Sequence, residues 1–313
     1  MSAGPEDLEF NSGSESCAAW LLRPEVEGKD EEGEAGETDP GLVPVVVMAH
    51  GFTATRRESL IGFQERFAEA GIASLSFDYR GFGESSGSER QVLDIKRELE
   101  DVAAAIGFAG GLPGIDPERI ALWGSSFGGG LTFETAAKLT ADGRAGLACA
   151  IAQVPFADGP AMLGAVPPVT ASRLTMKALA DIRARRSGAP RVMIPAAGAP
   201  GSLAAMTSPD ALAGFEAIKT AESRHENRVA AAIVVEALKW RPGRKASKIE
   251  CPILVQVANQ DHDTPPGPAA KAAARAPLGE VRRYDCGHFD VYLEPWFDQV
   301  VGDQVEFLKR NLL

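Results

Sequence analysis

The pentad Gly124-Ser125-Ser126-Phe127-Gly128 constrains the fold more than any other stretch of this chain. An apolar run, Ile120 to Trp123, leads into it, and a helix-compatible run, Phe127 to Thr140, leads out. A chain that passes from strand to helix within one residue turns sharply and strains the backbone of the central residue. Glycines two positions to either side remove the Cβ atoms that such a turn would force into contact. Strands that feed helices in this way are the repeating unit of parallel sheets.

The rest of the chain keeps that rhythm. Leu8 to Phe10 and Cys17 to Leu22 read as opening strands, Pro44 to Ala49 as a buried strand, and Glu58 to Ala70 as a helix closed by Gly71. Ile72 to Phe77 is the next strand and Gln91 to Phe108 a long amphipathic helix. Asp116-Pro117-Glu118 marks a turn before the strand Arg119 to Trp123, and Leu147 to Val154 is a further strand. From about Ala157 to Lys245 the alternation stops. The segment is rich in Ala, Pro and Gly, with helical pieces at Ser172 to Ala184 and Glu222 to Lys239. The rhythm resumes with a strand at Pro252 to Val257, a helix at Gly267 to Ala276, a strand at Val281 to Tyr284 and a closing helix at Trp296 to Leu312. The fold class is therefore α/β, a mostly parallel central sheet flanked by helices. Residues 1–156 and 246–313 are expected to form the core, and residues 157–245 an inserted helical cap. The acidic, Gly-rich stretch from Pro24 to Pro40 reads as a solvated loop.

A formal charge of −11 argues against nucleic acid and anionic membranes as partners. No apolar run reaches the roughly 20 residues that span a bilayer, and the N-terminus lacks the basic and apolar regions of a secretory signal. A cytoplasmic location is the expectation, with a small-molecule ester or acyl substrate as partner and homodimer formation left open. Cys17, Cys149, Cys251 and Cys286 match no zinc spacing and read as free thiols. No cofactor and no metal are expected; the run Asp261-His262-Asp263 reads as a turn.

The serine turn lifts one hydroxyl above the sheet edge and points a helix N-terminus at it. Ser126 is the candidate nucleophile; Ser125 occupies the variable position of the motif. A serine needs a base, and the chain has four histidines: His50, His225, His262 and His288. His288, in Asp285-Cys286-Gly287-His288-Phe289, follows the last strand, at the sheet edge where ligands bind in open α/β sheets. His50 reads as a brace for its loop, His225 as an exposed residue of the insertion and His262 as a rim residue. Cys286, two residues from His288, is a poorer nucleophile candidate because near neighbours in sequence rarely face each other. Asp261 and Asp263 both follow a strand, and both fall after the serine and before the histidine, so either can orient the imidazole; Asp158 is an outside candidate. The oxyanion of acyl transfer needs two amide donors. Phe127, next to the serine, supplies one, and Phe52 in His50-Gly51-Phe52-Thr53 supplies the other. Asp78-Tyr79-Arg80-Gly81-Phe82-Gly83-Glu84-Ser85 reads as scaffold beside the site, with a charged pair in Asp78 and Arg80.

Taken together, His50-Gly51, the segment from Asp78, the serine turn and Gly287-His288-Phe289 resemble the α/β-hydrolase superfamily in order and over nearly the whole chain. The resemblance implies the α/β-hydrolase fold. It also favours Asp261 as the acid, because the family pattern D-x-x-x-P fits Asp261 with Pro265 and does not fit Asp263. Leu93-Asp94-Ile95, Pro117 to Gly124 and Gly287-His288-Phe289-Asp290-Val291-Tyr292 are similar to capped bacterial serine hydrolases related to serine-aminopeptidase-like and polyketide-tailoring enzymes. What this implies is a carboxylesterase-type serine hydrolase that works through an acyl-enzyme on Ser126. The alternative is an acyltransferase or thioesterase acting on a polyketide or other acyl chain with the same triad. Amide hydrolysis and a non-catalytic binding role on the same scaffold are further readings. Met162, Leu163, Met176, Met206 and Phe215 are expected either to line the substrate pocket or to form the cap's own small core.

Overall fold

The computed structural model describes residues 4–25, 41–141, 146–162 and 166–313. The expected acidic loop from Pro24 to Pro40 lies almost entirely outside them. In chain order the elements are β1 (Glu6–Ser12), β2 (Glu15–Leu22), β3 (Val43–Ala49), α1 (Ile61–Glu69), β4 (Ala73–Phe77), α2 (Ile95–Gly110), β5 (Ile115–Ser125), α3 (Phe127–Ala141) and β6 (Cys149–Gln153). There follow α4 (Pro168–Ser187), β7 (Met193–Ile194), α5 (Ala211–Ala217), β8 (Val229–Ala230), α6 (Ile233–Lys239), β9 (Ile253–Ala258), α7 (Pro266–Arg275), β10 (Gly279–Tyr284) and α8 (Phe297–Leu312).

Among the described residues, eight strands form one sheet in the order β1-β2-β4-β3-β5-β6-β9-β10. The pairs β1–β2 and β2–β4 are antiparallel and every later pair is parallel. The central strands are apolar on both faces, as a sheet covered by helices requires: every residue of β4, β6 and β9 is buried. Phe63 and Phe67 of α1 pack with Phe307 and Leu308 of α8 on one face, beneath Trp123 and Met48. Helices α2, α3 and α7 cover the other face, around Leu122, Leu131, Phe133 and Val255.

Several elements depart from their sequence-based bounds for local reasons. Glu58 to Leu60 stay out of α1, because the Glu58 carboxylate caps Thr55 and Ser59 adopts φ 54°. Helix α2 starts at Ile95, where Asp94 accepts from the amides of Lys96 and Arg97; Gln91, at φ 59°, belongs to the turn before it. The turn at Asp116 to Glu118 lies within β5, beside a register shift against Val43 and Val45 of β3.

The segment between β6 and β9 is helical at α4, α5 and α6, but it also holds the antiparallel pair β7–β8. Residues 222–239 are therefore not one helix. Val229 and Ala230 pair with Ile194 and Met193, and the Ala230 amide also donates to the Gln91 carbonyl. The expected boundary at residue 245 falls inside a 3-10 helix, Pro242–Lys248, whose Gly243 and Ala246 are buried toward the core helices.

Candidate active site

Ser126 sits at the junction of β5 and α3 with φ 56°, in the left-handed region that L side chains rarely adopt. The neighbouring glycines explain how the turn closes. A Cβ on Gly124 would lie 2.2 Å from the Gly128 carbonyl oxygen, and one on Gly128 would lie 2.2 Å from that of Ala49. The backbones of β3, β5 and α3 meet here without side chains between them.

Three strands deliver their carboxyl ends to the same edge. The Ser126 hydroxyl lies 3.0 Å from His288 Nε2, and His288 Nδ1 lies 2.7 Å from Asp261 Oδ2. All three are buried, at 8%, 2% and 6% exposure. The other oxygen of Asp261 accepts the amides of Asp263 at 2.8 Å and Thr264 at 2.6 Å. The Thr264 hydroxyl is 2.8 Å from Asp261 Oδ2 and 2.9 Å from the Val154 carbonyl. The acid is thus fixed at both oxygens, and it fixes the imidazole in turn. Burial disfavours a charged imidazole at His288, but the Asp261 carboxylate outweighs it and pushes the group up to about 9; Asp263 and Asp210 act in the same direction.

The remaining sequence candidates separate cleanly. Asp263 does not touch His288; its carboxylate accepts from Ser208 at 2.9 Å, and burial pushes it up to about 6. Ser125 points away from His288, toward Tyr292 and Gln153. Cys286 is buried with its thiol pushed up to about 12, and both ring nitrogens of His288 are engaged elsewhere. His262 is exposed. Asp158 pairs with Arg241. Asp78 and Arg80 do not pair with each other: Asp78 holds Arg56, and Arg80 holds Asp101. His50 is buried, which holds it down to about 4 and hence neutral, and its Nδ1 lies 3.0 Å from the Gly51 carbonyl.

The loop after β3 lies against the serine. A Cβ on Gly51 would stand 3.2 Å from Ser126 Cβ. Among the described residues, neither the Phe52 amide nor the Phe127 amide donates to another group of the chain. The Phe127 amide is the first of α3, at the end where helical N–H groups lack intrahelical partners. The loop that carries Phe52 and the helix start that carries Phe127 thus both adjoin Ser126.

His225 is not the exposed residue that its polar surroundings suggest. It stacks on Phe215, with ring centroids 4.8 Å apart, and its Nε2 lies 3.3 Å from the Thr53 hydroxyl. Around it the inserted segment grips the same loop. Ser223 donates to Glu58 at 2.6 Å, Thr220 to the Arg57 carbonyl at 3.2 Å, and Ser59 to the Ile218 carbonyl at 2.9 Å. Thr53 itself holds φ 53°.

A narrow cavity of about 20 Å³ opens over Ser126 and His288, lined also by Phe52, Met206, Phe215, Ile218 and Tyr292. Met206 and Phe215 thus reach it. Met162 is half-buried outside that lining, and Met176 is 62% exposed. The reason for Met176 is helical phase: α4 buries Thr170, Leu174, Ala178 and Asp181, which leaves Met176 on the outer side. Leu163 lies outside the described residues. Larger depressions of about 520 and 400 Å³ lie elsewhere, around Phe10 and Glu15 and around Asp158 and Arg241.

Thr264, His225, Ser208 and Tyr292 escaped the sequence reading. Thr264 had a legible signal: in Asp261-His262-Asp263-Thr264-Pro265 an Asp whose side chain takes the next two available amides is an Asx turn. The others act on partners far away in sequence and carry no local mark.

Comparison with known proteins agrees with this fold. The alpha/beta hydrolase family matches residues 46–302. The chain is 42% identical over 306 residues to quorum-quenching protein AidA of Acinetobacter baumannii (strain MDR-ZJ06), covering 98% of this chain and 95% of that one. It is 28% identical over 279 residues to polyketide transferase ATR5 of Stachybotrys chlorohalonatus (strain IBT 40285), covering 86% and 89%. The crystal structure of alpha/beta hydrolase GrgF from Penicillium sp. sh18 superposes with a TM-score of 0.78 at 22% identity, covering 99% of both chains. With the strand order, the serine turn and these matches in agreement, the chain belongs to the alpha/beta hydrolase family.

Proposed function

We propose that this protein is a serine hydrolase that cleaves carboxylic esters through an acyl-enzyme on Ser126. The observation that carries the reading is the unbroken line from the Ser126 hydroxyl through His288 to Asp261. In the proposed mechanism Ser126 Oγ attacks the ester carbonyl carbon while His288 Nε2 takes its proton. The amides of Phe52 and Phe127 hold the oxyanion, and Asp261 stabilises the imidazolium. The carbon–oxygen bond to the alcohol then breaks, and His288 returns the proton to the leaving oxygen. Water attacks the acyl-enzyme with His288 again as base, releasing the acid and restoring Ser126. Residues 157–245 serve as a cap, and Met206 and Phe215 from it contact the substrate.

Hydrolysis of p-nitrophenyl esters of graded chain length tests the reading. Ser126→Ala is expected to lower kcat by about 10⁴-fold or more and to abolish labelling by a fluorophosphonate. Wild-type turnover retained in that variant would overturn the assignment.

A second reading keeps the same triad and passes the acyl group to another acceptor. Its support is the similarity to ATR5, a polyketide transferase, over 86% of this chain. Product formation that depends on an added alcohol, amine or thiol acceptor, with slow hydrolysis in its absence, would favour transfer.

A further inference from the structure

Behind the serine turn runs a buried line of polar side chains across four adjacent strands. The Trp123 indole donates to Gln304 Oε1 at 3.1 Å. Gln304 Nε2 donates to Gln153 Oε1 at 2.7 Å and to Gln256 Oε1 at 2.6 Å. Gln153 Nε2 donates to Ser125 Oγ at 3.0 Å, and Ser125 Oγ lies 2.5 Å from the Tyr292 hydroxyl. On the other arm Gln256 Nε2 donates to Tyr284, which donates to Asp303. Trp123, Gln304, Gln153, Gln256 and Ser125 are all fully buried.

The Trp123 indole fixes the direction of the bonds along this line as far as Ser125. An indole N–H only donates, so Gln304 must turn its oxygen to Trp123 and its amino group to the other two glutamines. Gln153 then presents its amino group to Ser125. The Ser125 oxygen accepts that bond, and its own proton has one remaining partner among the described residues, the Tyr292 oxygen. Were Tyr292 to donate to Ser125 instead, the Ser125 proton would be left without a partner among the described residues at 0% exposure, whereas Tyr292 is only partly buried and lines the cavity. Ser125 therefore donates to Tyr292. The phenol oxygen has accepted, and its proton remains unspent. Tyr292 lines the cavity over Ser126 and His288.

We propose that the Tyr292 hydroxyl is a fixed hydrogen-bond donor to the substrate, and that it selects substrates carrying an acceptor oxygen in addition to the scissile carboxyl group. The class is an oxygenated acyl ester, such as an oxo-acyl ester, or one with an ether oxygen in its alcohol. The proposal rests on Ser126 and His288 being the reacting groups of this cavity. Tyr292 does not move a proton in it: the phenol donates and keeps its hydrogen. Burial, against the bonds donated by Ser125 and Gln153, pushes the phenol up to about 12, so the donor persists at any working pH.

The test compares matched esters. p-Nitrophenyl pentanoate is set against the 3-oxo and 4-oxo pentanoates for the acyl side, and butyl against 2-methoxyethyl pentanoate for the alcohol side. In the wild type the oxygenated member of at least one pair is favoured in kcat/KM. Tyr292→Phe is expected to lower that ratio about tenfold or more, as losing a donor built for a substrate oxygen does. 3-Fluorotyrosine at position 292, a stronger donor of similar shape, keeps or raises the ratio. The same pairs are titrated calorimetrically against Ser126→Ala with and without Tyr292→Phe, which reads the preference as a ratio of Kd without turnover. Ratios that stay within twofold in every pair, by kinetics and by calorimetry, overturn the proposal. So does a lower ratio in the fluorotyrosine protein. Persistent turnover by Ser126→Ala would instead count against the serine mechanism, and the calorimetric ratios would still decide the role of Tyr292.

Discussion

His288 is buried among carboxylates: Asp261 touches it, and Asp263 and Asp210 act on it through space. In the proposed mechanism His288 must be neutral to act as base, yet its imidazole is pushed up to about 9 from an ordinary 6.5. The activity of the free enzyme, read as kcat/KM, is therefore expected to climb with pH through neutrality and to level only near pH 9. Asp263→Asn removes one of the charges that favour the imidazolium, so its ascending limb should move to lower pH; a limb that stays put would show that Asp263 is electrostatically silent. The same shift carries a stability sign. Because the folded protein binds this proton more tightly than the unfolded chain does, the stabilisation from His288 is complete below about 6.5. It fades as pH rises through about 9. These residues were legible to different degrees. Ser126 announces itself by its flanking glycines and His288 by its place after the last strand. Asp261 and Asp263 are two residues apart: chain order alone leaves both open, the family spacing to Pro265 favours Asp261, and Asp261 is the one hydrogen-bonded to His288.

Elements decide whether the turn can form at all. Gly128→Ala would drive a methyl group into the Ala49 carbonyl, so β3 and α3 would have to separate. The expected result is a loss of well over about 3 kcal/mol, seen as insoluble or cleavable protein. Gln304 illustrates a different dependence. Replacing it with leucine leaves the Trp123 N–H and the oxygens of Gln153 and Gln256 without their partner, a cost of about 3 kcal/mol or more, measurable as a lower midpoint in urea. Strand and helix periodicity exposed nearly every element of the main sheet, because each strand there is either buried on both faces or flanked by clear turns. It could not expose the glutamine line. Glutamines at 153, 256 and 304 look like scattered polar residues until the sheet order brings β6, β9 and α8 side by side. The short pair β7–β8 was hidden for a related reason: two residues per strand carry no period, and their pairing, Met193 with Ala230 and Ile194 with Val229, joins positions far apart in sequence.

On the scale of the whole molecule, the break in rhythm between β6 and β9 was plain in the sequence, while its seat on the rest of the protein was not. Nothing local marks His225, Ser223 or Thr220 as contacts of residues 53–59, since the partners are more than 160 positions apart. His225→Ala removes the partner of Thr53, the residue after Phe52. It is expected to lower kcat about tenfold with a smaller change in KM, because a displaced oxyanion donor acts mainly in the transition state; steady-state kinetics on any accepted ester decides it. The grip of residues 218–225 on the loop after β3 has a wider consequence. A motion that widened the cavity by lifting that segment would break its bonds to Thr53, Glu58 and Arg57, in the loop that carries Phe52. Widening the cavity on that side and holding the loop in place would therefore compete for the same three hydrogen bonds.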